Sequence, residues 1–177
     1  MPNFILNINS PTEDLMLEDT SVGCCLLNSG IDLSELKSLA RRIAAADKIC
    51  LLYGEKAAVL QNSVGADGIV ADLSQSSNIK KDIADLRKQI KDGILGVISR
   101  NRRHEAMIVS ENEPDFIVFR VWNDGCEQTF ELAEWYEEFF LLQMAIMPQD
   151  NEVDFARYNA DILILTPEQY KIFVAKK

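Results

Sequence analysis

Short runs of Val, Ile, Leu and Phe recur along the chain, separated by longer segments in which apolar residues return every three or four positions. This is the pattern of repeated strand and helix units rather than of a sandwich or a bundle. Eight runs read as strands: Asn3 to Asn9, Val22 to Asn28, Ile49 to Tyr53, Gly68 to Asp72, Leu95 to Ser99, Phe116 to Trp122, Met144 to Met147 and Ile162 to Leu165. Between them, residues 32–48 put Leu33, Leu36, Leu39, Ile43 and Ala44 on one helical face, with Asp32 and Ser34 supplying a cap and early negative charge. Ile79, Ile83, Leu86 and Ile90 repeat the design, and Gly93 is placed to stop that helix. A third long helix over residues 130–143 carries Leu132, Trp135, Phe139 and Leu142 as its core stripe, leaving Glu131, Glu134, Glu137 and Glu138 in solvent. A shorter helix is expected from Lys56 to Val64.

Several strands, such as Ile162-Leu163-Ile164-Leu165, are apolar throughout, and strands buried on both faces belong to parallel sheets covered by helices. Eight such units point to a small (β/α)8 TIM barrel, because closure leaves no edge strand; an open doubly wound parallel sheet is the alternative. With 177 residues, 47% of them hydrophobic, the chain can build one domain spanning residues 1–177. A complete barrel typically takes about 200 residues or more, so some unit must be abbreviated. The first is the candidate: only residues 11–20 are available for its helix, about two or three turns at most. The polar stretch Ser74 to Asn78 reads as a loop, not a boundary.

A net charge of −10 repels phosphate backbones and anionic lipid, which argues against nucleic acid and membrane partners. The start has no basic segment, and its apolar run Phe4-Ile5-Leu6 is broken by Asn7 and Asn9, so it does not read as a signal peptide. No run approaches the roughly 18 apolar residues of a membrane span. Cys24, Cys25, Cys50 and Cys126 lie mostly in apolar runs without CxxC spacing and read as reduced core residues of a cytoplasmic protein.

Three short stretches resemble the thiamine phosphate synthase and TenI-like barrel family. Gly65-Ala66-Asp67-Gly68-Ile69-Val70 is similar to the family's entry into its fourth strand. Gly96-Val97-Ile98-Ser99 followed by Glu105-Ala106 is similar to its fifth strand and next helix, and Pro114-Asp115-Phe116-Ile117-Val118-Phe119 to its sixth strand. Asp32-Leu33-Ser34 and Leu39-Ala40 are spaced like its second helix. The likeness runs from about Val22 to Lys177. It implies a barrel that, in active members, joins a thiazole phosphate to a pyrimidine pyrophosphate with magnesium at the strand carboxyl ends.

Those carboxyl ends are where the chain departs from the family. The second strand should end in cationic grips, but Leu26-Leu27-Asn28-Ser29-Gly30 has none. The third ends in Tyr53-Gly54 instead of Asn-Asp. After the fourth, Asp72 is the only carboxylate and is displaced, and Trp122-Asn123-Asp124-Gly125-Cys126 lacks the sixth-loop lysine. The loops after the last two strands, which in such barrels hold phosphate with free N–H groups, carry Pro148, Asp150, Glu152, Pro167 and Glu168. Asp150 with Asn151, and Thr166 with Pro167, read instead as caps of following helices.

One basic cluster stands out in this acidic chain: Ser99-Arg100-Asn101-Arg102-Arg103-His104. Cations at a helix start oppose its positive end and call for an anion, either a ligand at the barrel mouth or acids such as Asp72 and Asp124. Arg120, inside a strand, must likewise have a partner, at the mouth or in the helix layer. His104, the sole histidine, reads as a surface residue. No serine or cysteine stands in a nucleophile elbow, and no Walker or dinucleotide glycine motif occurs.

The candidate ligand-binding residues are therefore Asn28, Asp72, Ser99, Arg100, Arg102 and Arg120, with no catalytic residue and no metal ligand assigned. The expected function is a divergent family member without synthase chemistry that binds a small anionic or phosphorylated metabolite. No cofactor is expected, magnesium being implied only where the family's activity is retained. An active but divergent synthase or thiazole phosphate isomerase is one alternative. A self-associating interaction module, a homodimer among its forms, is another, since Trp135, Tyr136, Phe139 and Phe140 are too many aromatics for one buried stripe.

Overall fold

The computed structural model describes residues 3–175 as a closed barrel of eight parallel strands in sequential order. The strands are β1 (Asn3–Ile8), β2 (Val22–Asn28), β3 (Ile49–Tyr53), β4 (Gly68–Asp72), β5 (Ile94–Ile98), β6 (Phe116–Val121), β7 (Gln143–Pro148) and β8 (Ile162–Leu165). Around them lie α1 (Leu33–Ala45), α2 (Ala57–Val64), α3 (Ile79–Ile90), α4 (Arg103–Glu111), α5 (Cys126–Phe139) and α6 (Pro167–Ala175). Closure through β1 and β8, with Ile5 against Ile164, excludes the open sheet. Among the described residues no helix is long and apolar enough to cross a membrane.

The ladder register sets which side chains share a level inside the barrel. Because the strands tilt, residues at equal height sit about one place beyond their ladder partner at each step round the sheet. Inward residues therefore form layers of four, drawn alternately from even and odd strands. The first three are Cys24, Gly68, Phe116 and Ile162; then Ile5, Leu51, Gly96 and Ala145; then Leu26, Val70, Val118 and Ile164. All are apolar. Glycine at position 96 makes room for Phe116, whose Cζ would lie 2.4 Å from a Cβ there. The alternate residues, among them Leu6, Leu27, Leu52, Val97, Ile117 and Phe119, face outward into the core beneath the helices.

Three aspartates fasten the amino-terminal face. Asp67 accepts from Cys50 N–H at 2.8 Å, Asp115 from Leu95 N–H at 2.7 Å and Asp161 from Met144 N–H at 2.9 Å. Each aspartate precedes an even-numbered strand and holds the start of the strand before it. Its own N–H donates back to the same residue's carbonyl.

Several elements differ from the sequence reading. The first unit has no helix: residues 9–21 run as turns, where polar side chains take the backbone donors a helix would need. Glu13 accepts from Asn9 and Ser10, Asp14 from Met16 and Asp19 from Ser21, and Met16 has a φ of 47°. Helix α5 starts earlier than expected and stops at Phe139. It buries Thr129, Leu132, Ala133 and Tyr136, while Phe139 is 62% exposed. The apolar run through Leu142 continues past the helix into the approach to β7. Leu33 and Ala44 lie outside the buried face of α1, where Leu36, Leu39, Ala40 and Ile43 pack. Helix α3 ends before Gly93, with Lys91 taking the left-handed turn at φ 53°. Asp150 and Asn151 cap no α-helix. Asp150 closes a turn by accepting from Glu152 and Val153 N–H, and a single 3-10 turn at Phe155–Arg157 follows.

Candidate functional site

Above the three apolar layers, the barrel interior changes character. The next level holds Asn7, Tyr53, Ile98 and Met147, and the one above it Asn28, Asp72, Arg120 and Thr166, polar at all four positions. Three of the six expected site residues, Asn28, Asp72 and Arg120, thus share one layer.

Arg120 is the centre of that layer. Its guanidinium meets Asp72 at 2.9 Å, donates to Ser74 Oγ at 3.1 Å and lies over the Trp122 ring at 5.6 Å. Its side chain is 20% exposed, against 31% for Asp72, so this ion pair is partly withdrawn from solvent. The partner that Arg120 was expected to need is thus Asp72, at the mouth. Arg100 reaches the same loop from β5, with Nε donating to the carbonyl of buried Ser74 at 2.8 Å. Two guanidinium groups therefore converge on one residue, and Asp72 steadies it by accepting from Ser74 N–H at 2.9 Å. Asn101 accompanies them, donating to the Arg120 carbonyl at 2.6 Å.

Opposite Arg120 across the barrel, Asn28 donates to Asn9 at 3.3 Å and accepts from Gly30 N–H at 2.8 Å. Thr166 forms a reciprocal cap with Gln169, accepting from its N–H at 3.2 Å while Gln169 accepts from Thr166 N–H at 2.9 Å. That cap occupies the α6 end, and Asp150 takes the turn donors after β7. The two loops that hold phosphate in many barrels are therefore engaged by the chain's own side chains.

The other expected residues lie elsewhere. Ser99 follows the inward Ile98 and points the opposite way, buried, its hydroxyl on the Arg100 carbonyl at 3.3 Å. Arg102 is exposed, and its ion-pair partner among the described residues is Glu105, at 3.9 Å. Arg103 stacks on Trp135 at 5.1 Å. The arginines at the start of α4 are thus answered internally, by a carboxylate and a ring. Asn7, Tyr53, Ser74 and Asn101 were not singled out from the sequence. For Asn7 and Tyr53 the available signal was parity: each stands two places after an inward apolar residue, Ile5 and Leu51.

A groove of about 560 Å3 lies beside the mouth between α2 and α3, lined by Ala57, Ala58 and Leu86 with Glu55, Asp82 and Asp85. Its acids disfavour anions. Magnesium, implied by the synthase resemblance, needs several oxygen ligands. The polar layer offers one carboxylate, already paired with a guanidinium, and among the described residues no three His, Cys, Asp or Glu side chains gather as a metal site. These residues do not fit that ion. The cysteines are free thiols; burial pushes Cys24 well up, Cys25 to about 11 and Cys50 to about 12.

No protein-family model matches the sequence, and no curated protein does. Solved structures do match. The citrate synthase SbnG is 18% identical with a TM-score of 0.53, over 99% of this chain and 90% of that one. A variant of the same enzyme is 14% identical with a TM-score of 0.60, over 99% and 92%. The 3-keto-L-gulonate-6-phosphate decarboxylase of Vibrio cholerae is 11% identical with a TM-score of 0.58, over 93% and 87%. At these identities the likeness is one of fold, and the fold is shared with enzymes.

Proposed function

We propose that this chain binds a small anion at the carboxyl ends of its barrel strands, with Arg120 as the principal grip and Arg100 as the second, and that it does not synthesise thiamine phosphate. The observation that carries the reading is the position of Arg120, an inward-facing arginine in an all-polar layer, separated from the three apolar layers of the barrel core by one mixed level. Arginine suits carboxylate and phosphate through its planar fork, and a partly desolvated one attracts an anion more strongly than a surface one. Asp72 occupies that fork in the free protein, so an incoming anion exchanges with it. Against synthase chemistry stand the absence of a cation on the β2 loop, the single carboxylate available to a metal and the filled phosphate loops.

Calorimetric titration with inorganic phosphate and with citrate at low ionic strength tests the grip. At least one is expected to bind, and Arg120→Met to weaken it about ten-fold or more. Indifference of the wild-type protein to both would overturn the proposal. Incubation with the thiazole phosphate, the pyrimidine pyrophosphate and magnesium is expected to yield no thiamine phosphate. Turnover there would restore the synthase reading.

Self-association is a second reading, favoured by Phe139 at 62% and Leu141 at full exposure near the end of α5. It requires a dimer in sedimentation at micromolar concentration, lost on Leu141→Glu.

A further inference from the structure

Inside the barrel mouth, Asn7 is a polar residue that the anion grip does not use. It stands on β1 between Leu6 and Ile8, both fully buried in the outer core, and on the same side as the inward Ile5. Its Oδ1 is sealed from solvent and has no hydrogen-bond partner. Among the described residues the one other such side-chain oxygen is Gln61 Oε1, but that amide also donates to the Ala66 carbonyl at 3.0 Å, outside the barrel interior.

Leaving a buried amide oxygen unpaired costs its full desolvation. A leucine of similar volume would avoid that cost and would match the apolar layers below. Rules of core composition are broken in this way where a ligand makes up the difference. Asn7 as a whole is only partly buried, and it lies one level beneath Asn28 and Thr166, about 3 Å down the axis and across from Arg120, so that a ligand seated in the mouth needs only a turn of the Asn7 side chain to meet its amide.

We infer that Asn7 is a ligand-binding residue of the mouth, taking a hydroxyl group on the anion that Arg120 grips, so that the ligand is a compact hydroxylated anion. The inference rests on the anion-binding proposal. A hydroxyl both donates and accepts, so it can satisfy the amide oxygen and the amide nitrogen alike. An ammonium group would set a second positive charge near Arg120 and above the apolar Ile98 and Met147. A second anionic group would meet an oxygen that can only accept. Tyr53, beside Asn7 in the layer, keeps the polar half of the floor together, while Ile98 and Met147 form an apolar half for the carbon skeleton.

Two matched pairs of probes separate this idea from simple anion binding: malate against succinate, and glycerol 3-phosphate against n-propyl phosphate. Within each pair the charge is alike and only hydroxyl groups differ, while the two pairs distinguish a carboxylate from a phosphate as the anionic group. In the wild-type protein, the hydroxylated member of at least one pair is expected to bind about ten-fold tighter. In Asn7→Leu that preference is expected to fall to about two-fold or less, with affinity for the plain member unchanged. Asn7→Leu is expected to unfold no earlier than wild type, and Asn7→Ala serves as a second, smaller variant that also lacks the amide. Equal affinities within both pairs would overturn the role of Asn7 while leaving the anion grip standing. So would a preference that survives in both variants. If none of the four probes binds, the anion-binding proposal itself fails, and this inference with it.

Discussion

Arg120 carries opposite demands, since the aspartate that keeps it in place also competes with any ligand. Replacing Asp72 by Asn keeps the shape and removes the competing charge, so phosphate or citrate affinity is expected to rise about five-fold. Stability should fall by about 1 kcal/mol, because the pair is only partly withdrawn from water. Titration and urea unfolding read the two effects separately, and an affinity that drops in Asp72→Asn would show that Asp72 helps to bind rather than competes. The thiols give a second test at this scale. With Cys25 and Cys50 pushed up to about 11 and about 12 by burial, their thiolates are scarce at pH 8, and Cys24 is shifted the same way. The folded protein should therefore show at most one reactive thiol to an aromatic disulfide reagent, the half-buried Cys126, and four after unfolding. Rapid reaction of two or more in the folded state would mean that the core opens readily. The polar layer was legible in the sequence where a strand ended on a polar residue, as at Asn28 and Asp72, or carried an arginine among apolar neighbours, as at Arg120. Asn7 was not, because a polar residue inside an apolar run reads first as an interruption of that run. Only its parity with Ile5 gives it a direction.

Among the elements, the same aspartate arrangement occurs before β4, β6 and β8, and two of its three instances lie inside the stretches that resemble thiamine phosphate synthases. Ala66-Asp67-Gly68 and Pro114-Asp115-Phe116 are accounted for by the way a strand start is fastened to its neighbour. Ala160-Asp161-Ile162, which is not one of the stretches that carry the resemblance, does the same. The motifs that suggested a family are thus strand-start mechanics, and they speak for the barrel more than for any reaction. Removing the acceptor in Asp115→Ala leaves Leu95 N–H unpaired and Arg87, 3.0 Å away, without its carboxylate. A loss of about 1–3 kcal/mol is expected from urea unfolding, and most of it should return in Asp115→Asn, which keeps an oxygen acceptor. Equal losses in both variants would mean that charge pairing with Arg87 dominates. Eight strands and the helices with clear capping were legible because periodicity and caps agree there, as at Asp32 with Ser34. The end of α5 was not, because Phe140, Leu141 and Leu142 continue an apolar run that the backbone leaves at Phe139. The missing first helix was hidden for the opposite reason: residues 11–20 are long enough for one, but their side chains bind the backbone locally.

For the molecule as a whole, the absence of a first helix leaves β1 to be covered from the other end of the chain. Phe4 packs against Tyr170 at 5.2 Å and Phe173 at 5.6 Å, so α6 shields the strand that closes the barrel. Tyr170 also ties α6 to the end of the first loop, its hydroxyl donating to Asp19 at 2.7 Å. That hydrogen bond is the largest cause holding the Asp19 carboxyl below its ordinary value, with Ser21 N–H next, while burial and then Asp19 push the Tyr170 phenol up. The contact needs a carboxylate on one side and a phenol proton on the other. For Asp19, depressed in the folded state, the stabilisation is present above the unfolded carboxylate range and is lost as pH falls through the lower folded value. For Tyr170, raised in the folded state, it is present below the ordinary phenol range and is lost as pH rises through the higher folded value. The stability difference between wild type and Tyr170→Phe should therefore form a plateau from about pH 5 to pH 9, worth about 1 kcal/mol, and shrink toward both extremes. Urea unfolding of both proteins across that range measures it. A difference near zero at every pH would mean that Tyr170 closes the barrel by ring packing on Phe4 alone, which phenylalanine keeps, and one that stays constant into the acid would mean that the hydroxyl contributes without the Asp19 carboxylate.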